Sequence, residues 1–365
     1  MLHEMVRSGH ARVRILGVES SCDETAAAIV DDGRSIRASI VASQFDLHRR
    51  YGGVVPEIAS RAHLARIIPV IREALAAARG DLASIDAVAA GVRPGLIGSL
   101  LVGTSAAKGI AWALGVPFLG VDHVEAHLAA AELEQDPFPR PALGLVVSGG
   151  HTSLFEMEPE GSLRRLGRTI DDAAGEAFDK AAAMLGLPHP GGPRLEELAR
   201  AGDPTAVRLP RPMLGPDSLD FSFSGLKTAF RLAILGHATG ADDVRSVAEG
   251  LPPSTRADLA ASFQAAVVET LLRKIERAID RGEGRFRSLV VGGGVVANEP
   301  LRQGVAALAA RRKLSLGIPR RDLCLDNAAM IAAAATPRAR RGEQDPWWLP
   351  AEPLSRWSLA EVASP

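Results

Sequence analysis

The chain has 365 residues, a length that suggests two domains of ordinary size. Lys and Arg number 42 and Asp and Glu 43, so the net charge is −1 and a strongly basic chain is excluded; any nucleic-acid-binding surface must be local. Hydrophobic residues make up 47% and aromatic residues only 4%, which predicts large cores built from Ala, Val, Leu and Ile.

Two cysteines, Cys22 and Cys324, are too few for a disulfide framework, and we expect both to be small buried residues rather than nucleophiles. The short polar N-terminus does not resemble a signal peptide. Charges, Gly or Pro interrupt every apolar run of about 18 residues. These features predict a cytoplasmic protein without a membrane span.

The first elements after a leader at 1–11 form a strand–turn–strand pattern. Apolar runs at 13–18 and 25–30 flank a polar turn, and a third strand is predicted at 36–41. The turn, Glu19-Ser-Ser-Cys-Asp-Glu-Thr25, could bind a phosphate through its N–H groups or a metal through its carboxylates, although a plain hairpin turn is commoner.

Strands and helices then alternate, which favours an α/β architecture. A helix is predicted at 62–79, with Pro69 as a kink or break. A strand at 86–91, a glycine-rich turn, a helix at 103–114 and a strand at 116–121 follow.

His123 and His127 follow that last strand and lie four residues apart. On a helix they share one face, so they can hold one divalent metal if a third ligand comes from elsewhere. A zinc protease would have its glutamate directly after the first histidine, whereas here Val124 has that position and Glu125 points away. The alternative is an ordinary helix with one packed and one solvated histidine.

The proline-rich stretch 134–141 predicts a domain boundary, and the opening pattern returns after it. A strand at 142–147, the turn 148–152 and a strand at 153–157 repeat the first hairpin. The repetition suggests a duplicated fold with a ligand between the halves.

The remaining elements are helices, glycine-rich turns and two strands. The loop 188–193 opens a helix at 194–201 and suits an anion or a ribose hydroxyl, while the glycines 292–294 after the strand 288–291 allow close approach of a ligand. Asp326 is predicted to cap a last helix, and it is also a possible third metal ligand. The other predictions are helices at 171–185 and 258–280, a loop at 236–256 and a strand at 314–318.

Eight separate stretches, in order, resemble the tRNA adenosine threonylcarbamoyltransferase (TsaD) family, formerly called glycoproteases, from about residue 15 to 335. They are Glu19-Ser-Ser-Cys-Asp-Glu-Thr25, His123-Val-Glu-Ala-His127, Val147-Ser-Gly-Gly-His-Thr152, Asp171-Asp-Ala-Ala-Gly-Glu-Ala-Phe-Asp-Lys180, Pro190-Gly-Gly-Pro193, Phe221-Ser-Phe-Ser-Gly-Leu-Lys227, Gly292-Gly-Gly-Val-Val-Ala-Asn298 and Asp326-Asn-Ala-Ala-Met330.

The resemblance implies an α/β, actin-like fold of the chaperone-ATPase and sugar-kinase class, with two duplicated RNase H-like lobes and a cleft between them. Residues 12–135 and 320–336 would form the first lobe, 141–319 the second, and 337–365 a Pro-, Arg- and Trp-rich tail. It also implies iron or zinc held by His123, His127 and Asp326, and an adenylate in the cleft. The implied substrate contacts are Val146, Val147, Ser148, Gly149, Gly150, Asp179, Gly192, Asn298 and, more weakly, Glu196.

The reaction implied is transfer of a threonylcarbamoyl group from threonylcarbamoyl-AMP to the N6 amine of the adenosine at position 37, beside the tRNA anticodon. The donor is already activated, so it needs positioning and charge stabilisation more than a strong nucleophile. No general base is evident, and Asp23 and Glu24 are the candidates. TsaB-like and TsaE-like proteins are the implied partners. A metalloprotease, a small-molecule kinase of the actin-like class and a non-catalytic scaffold are the alternatives.

One position departs from the family pattern. Arg93 stands where the family usually has the first glycine of Gly-Pro-Gly, and arginine does not readily adopt positive φ. If that backbone is required, the loop is reshaped, and Arg93 adds a cation near the cleft. Candidate phosphate contacts for tRNA, against the commoner alternative of solvated surface charge, are Arg164, Arg165, Arg168, Arg311, Arg312 and Lys313.

Overall fold

A computed structural model describes residues 12–49, 51, 53–236 and 243–354. The predicted leader and the end of the predicted tail, from residue 355, lie outside the described residues. The chain divides into two compact units. Unit 1 contains the residues up to Pro137 and from Leu325 onward, and unit 2 is Phe138–Cys324.

Each unit contains one five-stranded sheet with helices packed on it. The strands are β1 (Arg14–Glu19), β2 (Glu24–Asp31), β3 (Ser35–Ser43), β4 (Ala87–Arg93), β5 (Phe118–Asp122), β6 (Ala142–Val147), β7 (Thr152–Met157), β8 (Leu163–Arg168), β9 (Ser288–Gly292) and β10 (Ser315–Gly317). The helices are α1 (Phe45–Arg49), α2 (Pro56–Ala77), α3 (Ile97–Leu114), α4 (His123–Ala129), α5 (Ala174–Met184), α6 (Gly191–Ala199), α7 (Ser224–Leu235), α8 (Val244–Gly250), α9 (Pro253–Arg281), α10 (Glu299–Arg311) and α11 (Ala328–Arg340).

The two sheets have the same topology. In unit 1 the strand order is β3-β2-β1-β4-β5, with β1, β2 and β3 antiparallel and β4 and β5 parallel to β1. In unit 2 the strand order is β10-β9-β6-β7-β8. Counted from β8, it matches unit 1 strand for strand: β6, β7 and β8 are antiparallel, and β9 and β10 are parallel to β6. The predicted duplication is therefore confirmed at the level of strand order.

Helices cover both faces of the unit 1 sheet, as expected for strands that are buried on both sides. On one face, Leu16 and Val18 of β1 pack in a core with residues of α2 and α3. On the other face, α11 crosses β1 at Gly17, where a Cβ atom would come within 2.2 Å of the Ala328 carbonyl oxygen. Only glycine allows this approach, so Gly17 fixes where α11 begins over the sheet.

The core of unit 2 is more aromatic than the composition suggests. Phe263 of α9 contacts the ring of Phe178 at 5.9 Å between centroids and that of Phe230 at 4.8 Å. All three side chains are at most 3% exposed. A few phenylalanines concentrated in one unit therefore supplement the Ala, Val, Leu and Ile that were predicted to build both cores.

Several predicted boundaries and one predicted loop differ from the structure. Helix α2 is continuous through Pro69, because a proline removes one hydrogen bond without always ending a well-packed helix. Helix α3 begins at Ile97 rather than 103. The predicted loop 236–256 is wrong over Val244–Gly250, which form α8 with the side chain of Asp243 as its N-cap, and over 253–256, because α9 begins at Pro253. Residues 237–242 of that loop lie outside the described residues.

Helix α3 is the only helix in the described part of the chain that meets the length and hydropathy of a membrane span. It packs against α2 and β4 and buries Leu100, Ala107 and Ala111 in unit 1. One face of the helix is therefore part of the unit 1 core.

Candidate functional site

The two histidines lie at the junction between β5 and α4. Strand β5 ends at Asp122, and α4 begins with His123. The Asp122 carboxylate accepts hydrogen bonds from the backbone N–H groups of Val124, at 3.0 Å, and Glu125, at 3.5 Å. Asp122 is therefore the N-cap that turns the edge strand into the helix and places both imidazoles on one face.

His123, His127 and Asp326 converge, with one ligand atom from each within 4.8 Å of the others. Asp326 Oδ1 lies 3.4 Å from Nε2 of His123 and 3.5 Å from Nε2 of His127. The histidines are 6% and 0% exposed, whereas the Asp326 side chain is 26% exposed. The cluster is thus buried on the histidine side and open beside the carboxylate.

Asp326 reaches the cluster because α11, which begins two residues later at Ala328, packs on β1. The prediction that Asp326 caps this helix is wrong. Asn327 is the cap, since its side chain accepts a hydrogen bond from the Met330 N–H at 3.0 Å. A neighbouring residue caps the helix, so the Asp326 carboxylate can face the histidines.

Glu19 is a member of the cluster that was not singled out from the sequence. Its Oε2 lies 3.1 Å from Nδ1 of His123, and the Ser21 hydroxyl lies 3.2 Å from the same nitrogen. The side chain is buried at the end of β1. The sequence signal for Glu19 is its position in the polar turn 19–25, whose carboxylates are predicted to be possible metal ligands.

The two carboxylates control the charge of His123. Burial lowers the pKa of His123, but Asp326 and Glu19 raise it by more, so the pKa lies well above the ordinary value. A cation at this position would replace the proton on the ring. The acidic surroundings therefore favour positive charge between the carboxylate and the imidazoles.

The donor set fits a divalent metal. Ligand atoms about 2.0–2.2 Å from a tetrahedral zinc lie roughly 3.3–3.6 Å apart, similar to the nitrogen–oxygen separations here. Two histidines and one carboxylate also form the donor set of many iron sites. Three protein ligands leave further coordination positions open, as in catalytic rather than structural sites.

Neither cysteine has the lowered pKa of a nucleophile, and Glu24 in the turn after β1 is a poor base. Burial, followed by Asp23 and Asp326, raises the pKa of the half-buried Cys22 thiol, and burial also raises the pKa of Cys324. Burial and Asp23 raise the pKa of Glu24 to about 8. At neutral pH Glu24 is therefore mostly protonated, which makes it a weak candidate for a general base.

In unit 2 the predicted contacts 146–150 span the end of β6 and the following turn. Gly293, at φ +99°, lies against this strand end, where a Cβ atom would be 2.4 Å from the Val147 carbonyl oxygen. The carbonyl oxygens of Ser148 and Gly149 accept hydrogen bonds from the first turn of α5. Gly149 and Gly150 are exposed, and a Cβ atom on either would meet open space. Their backbone is accessible to a ligand.

Asp179 of α5 contacts Gly191, the residue before Gly192, at the start of α6. The Asp179 carboxylate accepts a hydrogen bond of 2.7 Å from the Gly191 N–H. Gly191 is packed against α5, while a Cβ atom on Gly192 would have no neighbour within 4 Å. Of this pair of glycines, Gly192 is the one that leaves space for a ligand.

Asn298 and Glu196 contact each other directly. The Asn298 amide donates to Glu196 Oε2 at 3.1 Å and to Gln264 Oε1 at 2.8 Å, while its carbonyl oxygen accepts from the Leu301 N–H. Asn298 therefore caps α10 and links it to α6 and α9. The side-chain amide already has these partners within the protein, so its role here is at least partly structural.

Two motifs of the sequence hold each other in unit 2. Asp171 accepts hydrogen bonds from the hydroxyl groups of Ser222 and Ser224 and from the Phe223 N–H. Asp172 pairs with Lys180 at 2.7 Å and with Lys227 at 2.8 Å. The polar–aromatic alternation at 221–228 is thus explained by the carboxylates that anchor the start of α7.

Neighbouring carboxylates compensate several of the proposed phosphate contacts. Arg164 pairs with Glu156, and Arg311 and Arg312 pair with Glu276 at 3.0 and 2.9 Å. These pairs agree better with solvated surface charge. A role in tRNA binding stays a prediction for the whole set.

Comparison with known proteins gives close relatives over most of the chain. A family model described as "TsaD: tRNA N6-adenosine threonylcarbamoyltransferase" matches residues 35–333. The chain is 52% identical over 331 residues to the tRNA N6-adenosine threonylcarbamoyltransferase of Moorella thermoacetica, covering 91% of this chain and 93% of that protein. It is 51% identical over 349 residues to that of Trichlorobacter lovleyi, with coverages of 96% and 98%.

Solved structures with much lower identity share the fold. HypF from T. kodakarensis superposes with a TM-score of 0.56 at 16% identity, over 91% of this chain and 47% of that one. Full-length HypF in its phosphate- and nucleotide-bound form gives 0.55 at 14% identity, with coverages of 92% and 47%. With the repeated strand order, these likenesses confirm the predicted α/β, actin-like fold class.

Proposed function

The chain belongs to the tRNA N6-adenosine threonylcarbamoyltransferase family, and from this premise we propose that it transfers threonylcarbamoyl from threonylcarbamoyl-AMP to the N6 amine of adenosine 37. The acceptors are tRNAs that read codons starting with A. The observation that carries the proposal is the convergence of His123, His127 and Asp326. The relatives favour this activity over the metalloprotease and kinase alternatives.

The transfer is an acyl substitution. The N6 amine attacks the carbamoyl carbonyl carbon, the bond from that carbon to the phosphate oxygen breaks, and AMP leaves. The amine loses one proton in the process, so the products are the modified tRNA, AMP and a proton. Positioning of donor and amine supplies much of the rate of such a reaction.

The side chains of unit 1 prepare a site for one divalent cation, iron or zinc. Nε2 of His123, Nε2 of His127 and the Asp326 carboxylate would hold it. When bound, such a cation supplies Lewis-acid polarisation of a carbonyl or orients a phosphate group. Glu19 lies 3.1 Å from Nδ1 of His123, and because a carboxylate only accepts hydrogen bonds, this contact would favour the tautomer that carries its proton on Nδ1 and leaves Nε2 for the cation.

The residues of unit 2 suit the adenylate part of the donor. The exposed backbone of Gly149 and Gly150 can approach a phosphate group closely, and Asp179 can accept a hydrogen bond from a ribose hydroxyl. The open space beside Gly192 supports its role as a contact. Val146, Val147, Ser148, Glu196 and Asn298 complete the proposed set.

We further infer that the protein works in the cytoplasm with TsaB-like and TsaE-like partner proteins. The test is to incubate the zinc- or iron-loaded protein, these partners, threonylcarbamoyl-AMP and an unmodified tRNA transcript, and to measure the modified nucleoside by mass spectrometry. We expect modified nucleoside with the wild-type chain and none with folded His123→Ala. Absence of product with the wild-type chain, or chelator-sensitive casein cleavage, would contradict the proposal.

A further inference from the structure

The segment 341–354, which we call the C-terminal strap, closes the outer edge of the unit 1 sheet. Strand β5 is the edge strand, and the strap and the end of α11 hydrogen-bond to its free side. The Asp345 N–H donates to the Phe118 carbonyl at 2.9 Å, and the Asp345 carboxylate accepts from the Gly120 N–H at 2.7 Å. Arg338 donates to the Gly120 carbonyl and to Asp345, both at 3.0 Å.

The middle of the strap packs on the sheet. Leu349 lies over Gly120, where a Cβ atom would be 2.5 Å from the leucine methyl group. The Lys108 ammonium group of α3 donates to the Leu349 carbonyl at 2.6 Å. Gly120 therefore leaves space for a strap residue, and α3 holds that residue in place.

The end of the strap is fastened to the loop between β4 and α3. The Glu352 N–H donates to the Val92 carbonyl at 2.8 Å, and the Gly95 N–H donates to the Pro353 carbonyl at 3.3 Å. The Glu352 carboxylate forms an ion pair of 2.8 Å with Arg93, and the two side chains are only 26% and 21% exposed. Both charges are thus partly withdrawn from solvent, so loss of either side chain would leave the other without its counter-charge.

Arg93 thus differs from the expectation drawn from its sequence position. It is not among the described residues with positive φ, so an arginine fits here without that strain. Its charge is paired with Glu352 rather than free. The loop accommodates the arginine by attaching it to the strap.

The strap is attached directly beside the metal centre. In the sheet register Arg93 is paired with Asp122, after an irregularity between Gly91 and Arg93. Asp122 is the cap of α4, and His123 is the next residue. The ends of β4 and β5 therefore set the position of His123. The strap contacts β4 at its end, Val92 and Arg93, and β5 two residues before its end, at Gly120.

We propose that the Arg93–Glu352 ion pair is a positioning element for His123, through which the C-terminal strap sets the affinity of the metal centre. The inference rests on the proposed cation at His123, His127 and Asp326. A ligand held about 1 Å too loosely gives a site that is present but weak. Loss of the pair leaves all three ligands in place and loosens only the backbone that carries one of them.

The experiment compares full-length wild-type protein with Arg93→Gln, Glu352→Gln and the double variant after removal of metal by a chelator. Each protein is titrated with Co²⁺, whose d–d absorption reports both affinity and coordination geometry. We expect each single variant to weaken Co²⁺ binding by about three- to tenfold, below the roughly 10–100-fold typical of direct partners of metal ligands. The double variant should lose no more than the larger single loss, because the two side chains act as one unit.

Two further variants separate positioning from general stability. Arg93→Lys keeps the charge and should retain most of the affinity. Glu269→Gln removes a comparable pair, Arg211–Glu269 at 2.9 Å in unit 2, and should leave the Co²⁺ titration unchanged. Urea unfolding of every variant shows how much stability is lost.

The outcomes are distinct. Wild-type Co²⁺ affinity and spectrum in Glu352→Gln would overturn the positioning role, even if the urea midpoint falls. Equal weakening in Glu269→Gln would also overturn it, since the effect would then follow from any lost ion pair. A wild-type protein that binds no Co²⁺ would refute the proposed metal centre itself.

Discussion

The Glu19 carboxylate lies 3.1 Å from Nδ1 of His123, while Nε2 of the same ring lies 3.4 Å from Asp326. One imidazole is therefore held between two carboxylates that come from distant parts of the chain. Glu19 can accept a hydrogen bond from the Nδ1–H group of the ring, and Asp326 lies where it could share a cation with Nε2. This arrangement is typical of metal-binding histidines, in which an outer carboxylate orients the ring.

Replacement of Asp326 by asparagine should disable the metal centre. Asparagine keeps the size of the Asp326 side chain. The change also leaves the start of α11 intact, because the cap of that helix is the neighbouring Asn327. We expect zinc affinity to fall by more than the roughly 10–100-fold that follows loss of an outer-shell partner, since a ligand charge is lost. Zinc titration measures this, with exposed Asp322→Asn as the matched control. Unchanged zinc affinity in Asp326→Asn would remove this carboxylate from the site.

Replacement of Glu19 by glutamine tests the orientation of His123. Glutamine can still accept a hydrogen bond but carries no charge, so we expect zinc affinity to fall by about tenfold or more. Metal content and zinc titration are the measurements, and exposed Glu57→Gln of α2 is the control. If Glu19→Gln binds zinc as tightly as the control, the contact with His123 has no role in metal binding.

Alanine at the open glycines of unit 2 should affect ligand binding without affecting stability. A Cβ atom on Gly149, Gly150 or Gly192 would meet no protein atom within 4 Å, so the fold tolerates it. If these positions contact the adenylate, the added methyl group should weaken AMP binding by about tenfold, equivalent to roughly 1.4 kcal/mol. Calorimetric titration with AMP measures the change.

Two other glycines serve as references for that experiment. Gly109→Ala in α3, which is equally open, should leave AMP affinity unchanged and raise stability by about 0.5–1 kcal/mol, because alanine is favoured over glycine inside a helix. Gly293→Ala should lower stability, because φ is +99° and the Cβ atom would collide with Val147. Unaltered AMP affinity in all three open variants would exclude close contact at those positions.

Removal of the Asp171 charge should change how stability depends on pH. Burial raises the pKa of Asp171, but hydrogen bonds from Ser222, Phe223 and Ser224 lower it by more, so the folded pKa is below the ordinary value. The resulting stability is present above the unfolded pKa of about 3.9 and is lost as the pH falls through the folded pKa.

The measurement is urea unfolding of wild type and Asp171→Asn between pH 7 and pH 3. We expect the variant to be less stable by about 1 kcal/mol at pH 7, a modest value because the carboxylate is partly exposed to solvent. The difference should shrink below about pH 4. Asp217→Asn, whose side chain is 91% exposed, should match wild type throughout, and a pH-independent deficit in Asp171→Asn would count against a charge effect.

Local pattern was enough to predict most of the secondary structure. Apolar runs of strand length, followed by polar turns and helical periodicity, predicted both hairpins and the alternation of strands and helices. The prediction failed where tertiary packing outweighs local signals. Helix α2 continues through Pro69, and α8 forms where the composition suggested a loop. Asn327 rather than Asp326 caps α11 for the same reason, since two adjacent residues are equally good caps in isolation.

The sequence by itself determined the class of fold, the family and the facing pair His123 and His127, because helical spacing and motif order are properties of the chain alone. The family resemblance already named Asp326 as the third ligand, and the tertiary structure brings it to this pair. Only the tertiary structure decided that Glu19 holds the other side of His123 and that Arg93 is paired with Glu352. These residues are separated by many positions in the chain. Their proximity depends on α11 crossing β1 at Gly17 and on the strap closing β5, and such long-range packing leaves no periodic signal in the sequence.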